Sequence, residues 1–162
     1  MDPRVAPLAE ILRLNTRLFR NCLDGLTEAQ AHARPSPTTN SAAFVAAHVA
    51  DARFFLLSVL GVADRPSPLA PYLEGARSIE ELERCPPLAE TLAAWTEASH
   101  ALRDRLAEIT AAELDAEHPV RFPVADRTVL GALAFLAQHD SYHVGQLALL
   151  RKHAGLPAMR YG

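Results

Sequence analysis

The chain has 162 residues, 49% of them apolar and 22% charged, with a formal net charge of −3. That length fits one domain over 1–162, able to bury a core without disulfide staples. Sixteen Lys and Arg against nineteen Asp and Glu leave no basic excess, which argues against nucleic-acid and membrane-surface binding. Cys22 and Cys85 lie far apart and form no C-x-x-C motif, so neither a disulfide framework nor a thiolate zinc site is expected. No apolar run reaches transmembrane length, and the opening Met-Asp-Pro-Arg has no signal-peptide core. A cytoplasmic location is therefore expected.

The twelve prolines leave four long proline-free runs, 8–34, 38–65, 88–118 and 124–156. Proline inside a helix costs about 3 kcal/mol, so these runs are where long helices can form. In the first, Leu8, Ile11, Leu12, Asn15, Leu18, Phe19 and Cys22 make a helical stripe that Gly25 can stop. The second is opened by Thr39-Asn40-Ser41, carries Phe44, Val45, His48, Ala52, Phe55, Leu56 and Val59, and closes at Gly61. The third runs through Leu88, Leu92, Trp95, Ser99, Leu102, Leu106 and Ile109. The fourth takes Ala132, Leu136, His139, His143, Leu147 and Leu150, and ends at Gly155 with Pro157 beyond.

Thr27-x-x-Gln30, Ser78-x-x-Glu81 and Thr110-x-x-Glu113 have the pattern of capping boxes. Segment 62–87 holds five prolines and a glycine, which predicts a long crossover between the second and third long helices, with a short helix at 78–84. Residues 118–127 are extended by proline restriction and can pair briefly as strands. The economical architecture is all-α, a four-helix bundle.

The chemistry lies in the histidines. His139 and His143 are four apart, one turn apart on the same helical face, and Leu136, Leu147 and Leu150 share that face. His48 is likewise central in its own stripe. Three imidazoles aimed at one small interior suit a metal: an i,i+4 pair from one helix plus a third from a facing helix makes a three-histidine face with a coordination position left open. The bland alternative is three separate core histidines, each with a hydrogen-bonding partner. His100 falls off its stripe, His32 and His118 fall in connections, and His153 sits in a last turn, where a cation suits the helix dipole. Glu97-Ala-Ser-His100 resembles half of a carboxylate di-iron motif, but the second half is missing.

The sequence resembles the DinB superfamily of DinB/YfiT-like metalloenzymes over essentially its whole length. The resemblance rests on Leu26-Thr-Glu leading to Arg34-Pro-Ser-Pro, then Ser41 and Ala46-Ala-His48-Val-Ala-Asp51. It continues in Leu136-Ala-Gln-His139-Asp-Ser-Tyr-His143-Val-Gly-Gln146-Leu and Gly155-Leu-Pro. It implies metal-ligand roles for His48, His139 and His143, a divalent ion such as Zn²⁺ or Ni²⁺, a bundle with a long crossover, and often a homodimer. Characterised relatives include transferases and isomerases that use a low-molecular-weight thiol, and others are described only as metal-dependent hydrolases.

Around the three histidines, Gln146 is positioned to donate to a ligand or orient substrate. Asp51 and Asp140 are placed to accept a free imidazole N–H. Asn15, an amide within an apolar stripe, is either a pocket residue or a structural hydrogen-bonder. Trp95 is expected in the core, and Tyr142 in packing or an interface. Gly145 suggests close approach of a neighbouring helix or subunit. Phe54, Val144 and Leu149 lie off the stripes as candidate homodimer contacts. The leading expectation is a metal-dependent enzyme, a thiol-dependent S-transferase or hydrolase acting on a small molecule. The alternatives are a non-catalytic metal-binding bundle and a stress-related bundle that holds a small ligand without turnover.

Overall fold

The computed structural model describes residues 2–73 and 84–161. Four long helices dominate: α1 (Ala6–Leu23), α3 (Ala42–Val59), α5 (Leu88–Glu108) and α7 (Val129–His153). Among the described residues three short ones fall between them: α2 (Glu28–His32), α4 (Ala70–Leu73) and α6 (Ala111–Asp115). The long helices occupy the four proline-free runs, and Pro7 falls in the first turn of α1, where its missing N–H costs nothing. The fold is all-helical. Helix α1 packs on α7, α7 on α3, α3 on α5, and α5 closes the ring on α1.

Side-chain caps start α2, α3, α6 and α7, whereas α1 and α5 begin without one. The Ser41 hydroxyl accepts from the Phe44 N–H at 3.2 Å, and Thr128 plays the same part for α7. Thr27–Gln30 and Thr110–Glu113 are complete capping boxes. Gly155 follows α7 with φ +81°, and the N–H groups of Gly155 and Leu156 bond back to the Lys152 and Arg151 carbonyls. The long crossover between α3 and α5 contains α4. The short helix expected at 78–84 and its Ser78-x-x-Glu81 box fall outside the described residues, apart from Arg84.

Several expectations need correction. Helix α3 has no single apolar stripe, because thirteen of its eighteen residues are buried. It is long and apolar enough to cross a membrane by length and composition, contrary to the expectation from the sequence. Its burial between α5 and α7 explains that composition. Ile11 and Phe55, placed on inward stripes, are each 41% exposed. Phe54 and Val144, taken as outward-facing, are buried core residues, and Leu149 alone of that trio is exposed.

The connection from α6 to α7 pairs only at its base, through the isolated antiparallel bridge Glu117↔Thr128. His118 N–H donates to the Arg127 carbonyl at 2.9 Å, and Val129 N–H to the Ala116 carbonyl at 2.9 Å. Close approach occurs at Gly131: a Cβ there would lie 2.3 Å from the Asp126 carbonyl oxygen. Gly145 has open space instead, so no neighbouring helix of the chain approaches it closely.

Candidate metal centre

Helix α3 supplies His48 and α7 supplies His139 and His143, and the α3–α7 packing brings the three half-buried rings together. His48 Nε2 lies 3.2 Å from His139 Nε2, which lies 3.1 Å from His143 Nε2. One ring nitrogen from each residue falls within 4.8 Å of the others. A tetrahedral ion with metal–nitrogen distances of about 2.0–2.1 Å would space neighbouring nitrogens about 3.3 Å apart. The His48–His139 and His139–His143 separations are close to that spacing.

Tautomers sharpen the point. His143 Nδ1 sits 2.7 Å from Gln146 Oε1, an atom that can only accept, so the ring proton is on Nδ1 and Nε2 presents a lone pair. Gln146 is anchored in turn, its Nε2 donating to the Tyr142 hydroxyl at 3.1 Å. His139 Nε2 has two nitrogen neighbours and at most one proton to share between them. Its Nδ1 is buried without a hydrogen-bond partner among the described residues. Burial holds all three imidazoles below their usual range, and for His139 the two neighbouring rings add to the effect, to about 4. Near neutral pH this is a cluster of neutral rings whose Nε2 atoms converge, a donor set that fits a divalent cation.

Beside the rings opens a cleft of about 330 Å³. Its apolar wall is Phe55, Phe122, Phe135 and Leu136, with His48, His139 and Asp51 also lining it. Phe122 reaches it from the α6–α7 connection, its ring centroid 5.4 Å from that of Phe135 and 6.1 Å from that of Phe55.

The other candidates take different places. Gln146 accepts from a histidine ring, whereas the sequence suggested donation. Asp51 lines the cleft and acts on His48 through its charge, but no imidazole N–H donates to it. Asp140 points away from the rings to Arg53, at 2.8 Å from both Nε and Nη2. Asn15 is buried and donates to Ser141 Oγ at 2.9 Å, tying α1 to α7 rather than lining the cleft. Trp95 is fully buried, stacked on Phe19 at 4.0 Å with the Arg53 guanidinium 3.5 Å from its ring centroid.

Arg53 is the important residue that sequence reasoning missed. It is 1% exposed and lies one helical turn and a fraction beyond His48. Its Nη1 donates to Thr16 and Ser99 and its Nη2 to the Leu12 carbonyl, so it links all four long helices when Asp140 is included. Burial opposes both charges of the pair, pushing the Asp140 carboxyl up and the Arg53 guanidinium down, and each charge counters that for the other. The available signal was that Arg53 is the sole Arg or Lys of a mostly apolar helix.

Comparison with known proteins agrees with this architecture. A solved structure described as a conserved protein from Enterococcus faecalis superposes with a TM-score of 0.72, covering 91% of this chain and 95% of that one at 17% identity. At that identity the likeness speaks to the fold alone. Comparison with curated proteins gives no match. The family model described as DinB superfamily matches residues 11–147. That span includes His48, His139 and His143 and most of the helical frame that assembles them: the chain belongs to the DinB superfamily.

Proposed function

We propose that His48, His139 and His143 hold one divalent ion, Zn²⁺ or Ni²⁺, and that the protein is a metal-dependent enzyme acting on a small molecule. The observation that carries this reading is the meeting of three ring nitrogens, with Nε2–Nε2 distances of 3.1 and 3.2 Å. Among the described residues no fourth His, Cys, Asp or Glu joins the cluster, which favours an open position over a closed structural site. When bound, the ion would supply a Lewis-acid centre that makes a water or thiol acidic enough to react near neutral pH.

The chain's own residues have separable parts in this scheme. Gln146 fixes the ring orientation and tautomer of His143. Phe55, Phe122 and Phe135 shed water from the reacting group and seat an apolar substrate body. Transfer to or from a low-molecular-weight thiol is the favoured reaction, and hydrolysis is the second.

The discriminating experiment is Co²⁺ substitution followed by titration with bacillithiol, mycothiol or a simple thiol analogue. A soft or borderline ion accepts sulfur, so the reading expects a thiolate-to-metal charge-transfer band that is absent in His139→Ala. Indifference to every thiol would shift the assignment to hydrolysis.

A further inference from the structure

The cleft beside the histidines combines two features that constrain what can occupy it. The first is its ring set: Phe55, Phe122 and Phe135 stand with tilted planes, 43° between Phe55 and Phe122 and 41° between Phe122 and Phe135. The second is Asp51, a half-buried carboxylate on the same wall with no hydrogen-bond or ion-pair partner among the described residues. Asp51 is the sole charged residue lining the cleft. A carboxylate at the edge of an aromatic box is complementary to a positively charged nitrogen on an aromatic frame: the rings attract a cation through their faces, and the carboxylate receives its N–H.

We propose that the cleft binds a small aromatic amine, its ring packed among Phe55, Phe122 and Phe135 and its ammonium or N–H group on Asp51. Which atom of that molecule reacts rests on the metal reading above, whereas its seating rests on the cleft alone. The cleft of about 330 Å³ has room for one aromatic ring with a short side arm. Phe122 is the specificity-determining residue. It is the member of the ring set that lies outside the helices, and among the described residues no backbone hydrogen bond joins residues 121–125 to the rest of the chain. Ring contacts to Phe55, Phe135 and His118 position it.

The test uses the full chain, as purified and after chelation, titrated with benzylamine, cyclohexylmethylamine and benzoate while backbone amide shifts are followed by NMR. Benzylamine should shift the amides around Asp51, Phe55, Phe122 and Phe135 in both preparations. Cyclohexylmethylamine, with the same charge and no aromatic face, should bind roughly three- to tenfold more weakly. Benzoate should leave these amides unmoved in the chelated protein. Asp51→Asn should remove the preference for the amine, and Phe122→Leu the preference for the aromatic ring, each with metal content unchanged. Shifts mapping to another cavity, equal binding of all three probes, or benzylamine shifts seen only with metal present would each overturn the proposal. Cleft binding by a chain that takes up no metal would refute the metal reading and leave this one standing.

Discussion

Arg53 sends its donors inward to Asp140, Thr16, Ser99 and the Leu12 carbonyl, with Trp95 beneath the guanidinium. Cutting the pair on one side leaves a buried charge uncompensated, so Arg53→Ala or Asp140→Ala should lower unfolding stability by about 3–5 kcal/mol in urea titrations of chelated protein. The double replacement Arg53→Met/Asp140→Leu should recover much of that loss. Gln146→Ala, which frees the His143 ring, should weaken metal affinity about 10- to 100-fold in competition with a chelator. The neutral histidines also set a pH dependence. Unfolded imidazoles titrate near about pH 6.5, while burial holds those of the native chelated protein lower, His139 at about 4. The unfolded state therefore takes up protons first, so the stability from these groups is present above that unfolded value and lost as pH falls toward the native one. The urea midpoint should drop as chelated protein is taken from about pH 7 to about pH 5, and less so in His139→Leu. The three histidines were legible because i,i+4 spacing and stripe position are local properties. Arg53 was not, since an isolated arginine on an apolar helix acquires its partners only when three other helices arrive.

Two glycines on α7 make opposite demands on the same helix. Gly131 lets the Asp126 carbonyl lie against the first turn, so Gly131→Ala must displace the loop that carries Phe122. Gly145 faces open space, where alanine adds helix propensity worth about 0.8–1.0 kcal/mol. Thermal melts should therefore show a lower Tm for Gly131→Ala and a higher one for Gly145→Ala. Proline spacing and the Thr39-Asn40-Ser41 opening marked where long helices can begin, because both act within one turn of sequence. The inward face of α3 could not be read in the same way. With neighbours on most sides it loses the contrast that periodicity detects, which is why Phe54 and Phe55 exchanged their expected places. At Gly145 the neighbouring-helix reading failed for a related reason: small size in a sequence does not say which neighbour comes close.

On the scale of the molecule, α7 carries two roles on different faces. Its inner face brings His139 and His143 against α3, while Tyr142 and Leu149, 57% and 61% exposed, flank Gly145 on the outside. Self-association through that outer strip is expected to give a dimer by light scattering, and Leu149→Lys a monomer. A monomeric wild type at micromolar concentration would count against it. The inner face determines whether the protein is a metalloenzyme at all. The most direct measurement is elemental analysis of purified wild-type protein beside His48→Ala and the double variant His48→Ala/His143→Ala, with folding checked by circular dichroism. One divalent ion per wild-type chain, and its loss from the folded double variant, is the result predicted from three converging ring nitrogens. Wild-type metal content in that double variant, or no metal in wild-type protein refolded with excess Zn²⁺ or Ni²⁺, would contradict the assignment.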